Sequence, residues 1–424
     1  MLEKILRKIE KIIPKKVYTF FQPYYHFALG FLGALLYGFP SNKLTVIAVT
    51  GTKGKSTTSE ILFNILNEAG VKTSLISTIK FAIGNKTRRN LLKMTTPGRF
   101  SLQKFLNKSV KEGCTHAVIE ISSEATLLYR HRFIKLDGLI FTNLSPEHIE
   151  RHGSYENYRD AKLNIARHVL SSENGKKILT INTDDKEAPL FENLGKFKVI
   201  NKVSINNAKP FETNYESSHF TWREKEIETK LIGEFNILNA LLAMETAKTL
   251  GVSEDNVTKT IEKISLIRGR LEKIDVGQNF LVVVDYAHTA DSLEKLYGAF
   301  LGKRKICVLG GTGGGRDKWK RPKMGEVASR YCDEIILTNE DPYDEDPEKI
   351  ISDIRTGITN NKVEVIMDRR KAINKALRKA TADSAVLISG KGTDPYIMGP
   401  NNTKEEWDDA KVAREELEKV LTKK

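Results

Sequence analysis

The sequence predicts two consecutive α/β domains, a doubly wound sheet built around a phosphate-binding loop (P-loop) and then a Rossmann-like α/β domain. Short apolar runs typical of strands alternate with segments of helical periodicity from residue 43 onward, which is the pattern of a parallel sheet with helical crossovers. A glycine-rich turn between the first strand and the first helix of this region supplies the loop. The chain has 424 residues, too many for one ordinary hydrophobic core.

The alternation of elements divides the chain into three segments. Residues 1–42 are a short hydrophobic helical segment, residues 43–267 a central phosphate-binding domain, and residues 268–424 a C-terminal domain. The predicted elements of the central domain are strands 44–49, 73–79, 116–121, 138–142 and 177–181, helices 55–69, 101–112, 154–170 and 236–250, and an antiparallel appendage at 211–235. Those of the C-terminal domain are strands 281–285, 305–309, 334–338, 363–366 and 385–389, and helices 291–301, 322–331, 347–358, 370–380 and 408–422.

The clearest motif is VTGTKGKSTTSEIL at residues 49–62. The apolar run before it, LTVIAV, predicts a buried parallel strand, and an apolar stripe after Lys55 predicts an amphipathic helix. Free N–H groups of the turn and of the helix N-terminus favour an anion, while Lys55 adds a positive charge and Ser56 a hydroxyl ligand for Mg²⁺. Val49 stands where the common motif has glycine, so a flexible surface turn is the alternative.

The first segment has an unusual distribution of charge. Residues 1–16 are basic with helical periodicity, whereas residues 17–39 contain no formally charged side chain. The uncharged stretch is long enough to cross a bilayer, but Gln22, Pro23 and His26 interrupt it and no small-x-small cleavage site is evident. We therefore expect a helical hairpin that packs on the protein or lies at a membrane surface, with membrane insertion as the alternative.

The composition is that of a basic globular protein, with 40% hydrophobic and 29% charged residues and a net charge of +14. Such a charge suits acidic partners such as nucleotide phosphates, nucleic acid or anionic lipid, although lysines scattered over a solvated surface give the same total. The three cysteines, Cys114, Cys307 and Cys332, show no metal-ligand spacing. We expect them to be buried thiols in a reducing cytoplasm.

Polar residues follow two further predicted strands, at the sheet edge where doubly wound folds bind ligands. Glu120 ends one strand and can share a magnesium ion with Ser56, unless this stretch only caps a helix. His148 lies in the loop after the next strand, and Lys162 borders the buried face of the helix that follows. Taken alone, these two residues would be a loop histidine and a solvated lysine.

In combination the motifs resemble those of the Mur ligases, the ATP-dependent amide-forming family of cell-wall synthesis, and most closely the MurE (UDP-N-acetylmuramoyl-tripeptide synthetase) group. The resemblance covers roughly residues 43–420. In chain order the motifs are TGTKGKS at 50–56, TTP at 95–97, EISS at 120–123, TNL at 142–144 with His148, AK at 161–162, GEFN at 233–236, GR at 269–270, DYAH at 285–288, RDK at 316–318 and GKG at 390–392. Each is weak alone, and their shared order makes the match specific.

The resemblance implies a site for two magnesium ions. In the family, the lysine that matches Lys162 is carbamylated: its neutral amine takes up carbon dioxide and becomes a carboxylate ligand of the second ion, which the histidine matching His148 also binds. Oxygen and imidazole ligands suit such ions, which would offset the repulsion between a substrate carboxylate and the γ-phosphate. The expected metal ligands are Ser56, Glu120, His148 and carbamylated Lys162, and the expected catalytic residues are Lys55, Lys162, His148 and Glu120.

The resemblance also implies where ATP and the first substrate bind. The expected nucleotide-binding residues are Gly51, Thr52, Lys53, Gly54, Lys55, Ser56, Thr57, Asn236, Arg270, Asp285 and His288. Those that match positions holding the UDP-linked peptide are Thr95, Thr96, Ser122 and Arg130, and Arg132 could share that role. Only 42 residues precede the first strand, where the family has a larger domain that grips uridine diphosphate. We expect residues 17–39 to contact a membrane surface or a hydrophobic partner instead of uridine.

The second substrate is expected to be a diamino acid. Family members that use meso-diaminopimelate carry an Asp-Asn-Pro-Arg motif whose arginine grips the distal carboxylate, and the matching residues here are Glu340-Asp341-Pro342-Tyr343. Arg316 keeps its place, and Gly390 and Asp394 match positions at the distal amine. Loss of the arginine and the charge of Asp341 favour L-lysine over meso-diaminopimelate. Helix capping by the acidic run that follows is the alternative.

We therefore predict a cytoplasmic, ADP-forming acid–amino-acid ligase of peptidoglycan precursor synthesis that uses ATP and Mg²⁺. It would join a carboxylate of a nucleotide-linked muramoyl-dipeptide to L-lysine or meso-diaminopimelate through an acyl phosphate, with no nucleic acid partner. A pseudomurein-type peptide ligase and a folylpolyglutamate synthetase-like ligase are the alternatives within the superfamily. A nucleic-acid-dependent ATPase would show salt-sensitive binding and leaves Lys162 and Glu120 without a role. A non-catalytic scaffold leaves the competent phosphate and metal positions unexplained.

Overall fold

The structure, a computed structural model, describes residues 15–359 and 363–422. Its first sheet consists of β1 (Thr45–Thr50), β2 (Thr73–Ile76), β3 (Lys80–Ile83), β4 (Lys86–Arg89), β5 (His116–Glu120), β6 (Gly138–Phe141), β7 (Ile178–Asn182) and β8 (Val199–Val203). The strand order is β4-β3-β2-β5-β1-β6-β7-β8, in which β3 and β4 form an antiparallel edge and the other six strands are parallel. The uncharged strand β1 therefore lies in the interior of the sheet, buried between β5 and β6.

Helices cover both faces of this sheet, as the predicted doubly wound fold requires. The helices are α1 (Lys15–Leu36), α2 (Lys55–Glu68), α3 (Arg99–Lys111), α4 (Ser123–Leu127), α5 (Ile149–His152), α6 (Tyr155–Ser171), α7 (Ala188–Glu192), α8 (Glu234–Thr249) and α9 (Glu254–Lys263). α2, α8 and α9 pack on one face, and α3, α6 and α7 on the other. The predicted antiparallel appendage is a three-stranded sheet of β9 (Phe211–Thr213), β10 (Ser218–Trp222) and β11 (Lys225–Thr229).

The C-terminal part contains a second α/β unit, in agreement with the predicted fold class. Its strands are β12 (Glu272–Lys273), β13 (Leu281–Asp285), β14 (Arg304–Leu309), β15 (Glu334–Leu337), β16 (Val363–Val365) and β17 (Ser384–Ser389), in the order β12-β13-β17-β14-β15-β16, with only β12 antiparallel. Its helices are α10 (Ala290–Gly298), α11 (Lys320–Tyr331), α12 (Pro347–Arg355), α13 (Arg369–Lys379) and α14 (Asp409–Leu421), and β18 (Tyr396–Met398) pairs with β19 (Lys404–Glu406). The carboxyl ends of both large sheets open into one cleft.

Within the described part of the N-terminal segment, residues 15–36 form one continuous helix, α1, and the expected hairpin stays a prediction because its other arm would lie outside the described residues. Pro23 and its polar neighbours lie within the helix without ending it, and residues 1–14, which carry most of the predicted basic helix, fall outside the described residues. α1 packs on α3 through His26, Gly30, Gly33 and Ala34. A Cβ on Gly30 would lie 3.2 Å from the Phe133 ring, so glycine at this position lets α1 lie close to Phe133. None of the helices in the described ranges has the length and hydropathy that crossing a bilayer requires.

The expectation of three free thiols is wrong for two of the cysteines. Cys307 on β14 and Cys332 after α11 form a disulfide, whereas Cys114 is a buried free thiol as expected. Both bonded cysteines belong to the core between β14, β15 and α11, which brings their Cα atoms to 6.1 Å. Their separation of 25 residues in the sequence gave no indication of this pairing.

Candidate active site

The residues singled out in the sequence converge on a cleft of about 570 Å³ between the two α/β units. The cleft is lined by Thr52, Lys53, Gly54, Lys55, Ser56, Thr57, Thr95, Glu120, Ser122, Arg130, His148, Asn236, Arg270, Asp285, His288, Arg316, Asp341, Tyr343, Gly390 and Asp394. Gly51, Thr96 and Lys162 lie directly behind this lining: Lys162 Nζ donates to the Gly51 carbonyl at 2.7 Å, and Thr96 Oγ1 donates to the Glu120 carbonyl at 2.9 Å.

The glycine-rich loop is braced by the residues that follow β6. Thr52 N donates to the Asn143 carbonyl at 2.8 Å, Lys53 N donates to Asn143 Oδ1 at 2.9 Å, and Thr142 Oγ1 donates to the Lys53 carbonyl at 2.6 Å. The loop curls around the Lys55 ammonium, which donates to the carbonyls of Gly51 and Thr52 at 3.0 and 2.8 Å. Burial lowers the pKa of Lys55, and the carboxylate of Glu120 opposes part of that shift. The two loop carbonyls therefore hold the Lys55 side chain at the cleft.

Glu120 gathers hydroxyl groups at the end of β5. Its two carboxylate oxygens each accept from Ser56 Oγ at 3.1 Å and from Thr78 Oγ1 at 3.0 Å, and Thr78 N donates to Oε2 at 2.7 Å. Arg270 approaches from the C-terminal side, with its guanidinium 3.3 Å from Ser56 Oγ. A hydroxyl and a buried carboxylate thus meet at the start of α2, an oxygen-rich arrangement that suits Mg²⁺.

Lys162 is completely buried, and its surroundings disfavour the charged form of its amine. Burial first, and then the positive charge of Lys55, lower the pKa of Lys162 well below the usual lysine value. The Lys162 amine lies 4.8 Å from the centre of the Tyr158 ring, and the His148 ring packs on the same tyrosine at 6.1 Å. Burial also lowers the pKa of His148 to about 3, and its Nδ1 accepts from Arg316 at 3.1 Å. Both side chains therefore favour the neutral forms that can take up carbon dioxide or bind a metal.

The four residues expected to hold the peptide substrate lie beside Glu120. Thr95 Oγ1 is 2.9 Å from Thr78 Oγ1, and Arg130 donates to the Thr96 carbonyl at 2.5 Å. Ser122 caps α4 by accepting from Ala125 N at 3.2 Å, which fixes its side chain at the cleft edge. A peptide carboxylate placed here lies next to the phosphate loop.

The C-terminal unit contributes the opposite wall. The Arg270 guanidinium lies over the Tyr286 ring at 4.7 Å, and His288 Nε2 is 3.1 Å from Glu147 Oε1. Asp285 accepts from Leu271 N at 2.8 Å and from Ala287 N at 2.7 Å. The carboxylate of Asp285 thus shapes the strand-end turn, and burial raises its pKa.

The carboxylate of Asp341, in the stretch that matches the diaminopimelate motif, is paired with two lysines. Asp341 accepts from Lys93 at 2.7 Å and from Lys391 at 2.8 Å, and Asp394 lies 2.9 and 3.0 Å from the same two ammonium groups. The negative charge that Asp341 was expected to add to the pocket is therefore paired with two lysine ammonium groups. Tyr343 faces Lys93, with the Lys93 ammonium 5.7 Å from the ring centre.

Known protein families and proteins match this chain over both of its α/β units. The family description "Mur ligase middle domain" matches residues 49–247, and "Mur ligase, glutamate ligase domain" matches residues 269–392. A protein of Syntrophomonas wolfei named UDP-N-acetylmuramoyl-L-alanyl-D-glutamate–2,6-diaminopimelate ligase is 36% identical over 403 residues, which are 92% of this chain and 81% of that protein. A protein of the same name from Aquifex aeolicus is 36% identical over 401 residues, with the same shares of both chains.

The chain belongs to the Mur ligase family. It is therefore an ATP-dependent, amide-forming ligase. A solved structure of a protein bearing the same ligase name has a TM-score of 0.61 at 28% identity and covers 89% of this chain and 79% of that one. A pseudomurein peptide ligase type C from Methanothermus fervidus (TM-score 0.62, 20% identity, 89% and 79% coverage) and a folylpolyglutamate synthase from Mycobacterium tuberculosis (0.68, 15%, 86% and 92%) share the fold.

Sequence reasoning missed several groups of the Mur ligase site. Glu147 is buried and joins Lys53 of the loop, at 3.2 Å, to His288 of the C-terminal unit. Thr78 and Lys93 lie on connections that carry no catalytic motif, and only the position of Lys93 close to the Thr-Thr-Pro sequence could have drawn attention to it. These residues act through contacts between distant parts of the chain.

Gly54 provides a test of the nucleotide loop with a matched control. Gly54 and Gly70, at the two ends of α2, both have φ of +82°, so alanine costs similar backbone strain at each. A Cβ on Gly54 would lie 2.2 Å from Asn239 Oδ1, whereas a Cβ on Gly70 would meet nothing within 4 Å. We predict that Gly54→Ala weakens ATP binding at least about tenfold, ~1.4 kcal/mol, and that Gly70→Ala does not. Calorimetric titration measures both, and equal affinities would contradict the assigned loop.

Proposed function

We propose that this Mur ligase joins a carboxylate of a nucleotide-linked muramoyl-dipeptide to a diamino acid in peptidoglycan precursor synthesis. The observation that carries the proposal is that one cleft brings together three groups of residues. These are the phosphate loop, the residues expected to bind the peptide (Thr95, Ser122 and Arg130), and the pocket around Asp341 and Asp394. The relatives named as ligases of UDP-linked muramoyl peptide and 2,6-diaminopimelate support the substrate classes. A cytoplasmic location agrees with these substrates and stays a prediction.

The proposed reaction has two steps, as the resemblance to the Mur ligases implies. The γ-phosphate of ATP is transferred to the substrate carboxylate, which gives an acyl phosphate and ADP. The free amine of the second substrate then attacks the acyl carbon, and phosphate leaves from the tetrahedral intermediate. Lys55 would exchange its bonds to the loop carbonyls for bonds to the phosphates, and Arg270 beside Ser56 would stabilise charge on the transferred group.

Magnesium fits the residues on the central side of the cleft. Ser56 and Glu120 supply oxygens for one ion, and His148 with carbamylated Lys162 would hold a second. Across residues 15–359 and 363–422, no three His, Cys, Asp or Glu side chains are grouped to hold a metal. Such ions offset the repulsion between the substrate carboxylate and the phosphates.

Water has to be excluded while the acyl phosphate exists. Glu147, which contacts both Lys53 and His288, ties the phosphate loop to the C-terminal unit across the cleft. Burial alone would raise the pKa of Glu147, but the positive charge of Lys53 and the hydrogen bond from His288 hold it well below the usual value. The carboxylate therefore stays charged and keeps the two sides together.

Lys162→Ala tests the mechanism. We predict that it lowers the rate of amide formation about 100-fold or more, as expected when charge stabilisation of the transferred group is lost. Added formate or acetate should restore part of the rate by filling the vacated ligand position. The assay contains ATP, Mg²⁺, UDP-linked muramoyl-dipeptide and a panel of amino acids, and mass spectrometry detects the product.

Arg167→Ala, on the exposed face of the same helix, is the control and should retain full activity. A fully active Lys162→Ala protein would contradict the two-metal mechanism. A native protein that hydrolyses ATP without an amino acid and forms no amide would contradict the proposed function itself.

We also propose that α1 binds the surface of an anionic membrane. Its buried stripe is made of small residues, whereas its exposed stripe carries large apolar residues, namely Tyr25, Phe27, Phe31, Leu32, Leu35 and Leu36, each at least 42% exposed. This arrangement is the inverse of an ordinary surface helix. No formal charge interrupts residues 17–39. Arg132 lies beside Phe27 and Phe133 in the adjoining groove, where Lys135 is paired with Asp137 at 3.3 Å and Glu173 is also present. An exposed apolar face of this kind suits a bilayer surface, and Arg132 adds a cation at its edge for anionic headgroups.

Vesicle flotation tests this surface. We predict that the intact protein floats with vesicles containing phosphatidylglycerol and that the double variant Phe31→Ser/Leu35→Ser does not, because apolar area is lost from the contact. Leu301→Ser is the control, because it removes an apolar side chain that is 70% exposed but lies outside α1. This variant should float like the native protein. Failure of the native protein to float, or flotation of the double variant, would exclude the membrane contact.

A further inference from the structure

Lys93 crosses from the central unit into the pocket of the C-terminal unit. It lies two residues before the Thr95-Thr96-Pro97 motif, on the connection between β4 and α3. Its ammonium is 2.7 Å from Asp341 Oδ2 and 2.9 Å from Asp394 Oδ2. A side chain from the connection that carries this motif therefore lies in the pocket where the second substrate is expected to bind.

The two carboxylates of this pocket have two ammonium partners. Lys391 lies 2.8 Å from Asp341 Oδ1 and 3.0 Å from Asp394 Oδ2, and it is fully buried. Lys93 keeps 18% of its side chain exposed and lines the cleft, as does Arg316. Both aspartates are already paired with these two ammonium groups, so a plain ammonium of a substrate would have to displace one of them.

We infer that Lys93 selects the second substrate: it occupies the ammonium position between Asp341 and Asp394 and makes the pocket favour a diamino acid with a distal carboxylate over one with a distal ammonium alone. The inference rests on the proposed ligase function. It replaces the preference for L-lysine that the sequence suggested. Lys93 supplies a positive charge at the cleft surface, which the neighbouring Tyr343 cannot give.

A purely structural role for Lys93 would be to hold the two units together, and Arg89 allows the two roles to be separated. Arg89 also crosses between the units, with its guanidinium 3.0 Å from Asp408 Oδ2 and 3.1 Å from the carbonyls of Thr393 and Trp407. Arg89 does not line the cleft, whereas Lys93 does. Loss of either cation weakens the contact between units, but only loss of Lys93 changes the charge of the pocket.

The experiment compares kcat/KM for meso-diaminopimelate and L-lysine in four proteins: native, Lys93→Met, Lys93→Arg and Arg89→Met. The native enzyme should prefer meso-diaminopimelate more than about tenfold. Lys93→Met, which keeps most of the side-chain volume, should reduce this ratio at least about tenfold because the exposed aspartates then accept the lysine ammonium. Lys93→Arg should restore the ratio, and Arg89→Met should change both values by the same factor.

Three results would each overturn the role of Lys93 while leaving the ligase function intact. They are a native preference for L-lysine, a Lys93→Met ratio within about twofold of the native one, and a change of ratio in Arg89→Met equal to that in Lys93→Met. Absence of amide product from any diamino acid with the native enzyme would instead refute the proposed function. Circular dichroism of each variant confirms that the compared proteins are folded.

Discussion

One backbone carbonyl, that of Gly51, lies between two lysine ammonium groups. Lys55 donates to it at 3.0 Å and Lys162 at 2.7 Å. Burial lowers the pKa values of both groups, and the positive charge of Lys55 lowers the pKa of Lys162 further. Lys55 lines the cleft where phosphates can compensate its charge, whereas Lys162 lies behind the loop. The fold thus favours a neutral amine at Lys162, the form that can become a carbamate, and a cation at Lys55.

The rest of the site depends on bringing the two α/β units to the same loop. Lys53 reaches Glu147 and through it His288, while Arg270 reaches Ser56 from the other side of the cleft. Lys93 forms a third connection at the opposite end of the cleft. In the proposed two-step transfer, these contacts would hold together the phosphate loop, the residues expected to bind the peptide and the pocket expected to bind the second substrate, and would exclude water.

The sequence predicted the elements that have strong periodicity and missed those that depend on context. β1 and α2 carry clear apolar patterns, so the strand, loop and helix were predictable. The edge strand β4, with the sequence KTRR, is largely exposed and has no apolar alternation. Glu147, Lys93 and the Cys307–Cys332 disulfide depend on partners far away in the sequence, which local patterns do not specify. The pairing of Asp341 with Lys93 and Lys391 depends on distant partners in the same way.

The most direct test of the central claim is ¹³C NMR of the protein equilibrated with ¹³C-labelled bicarbonate. A neutral Lys162 amine beside the Gly51 carbonyl predicts one slowly exchanging carbamate signal in the native protein. That signal should be absent from Lys162→Ala and present in Arg167→Ala. A native spectrum without a carbamate signal, or a signal that persists in Lys162→Ala, would contradict the account.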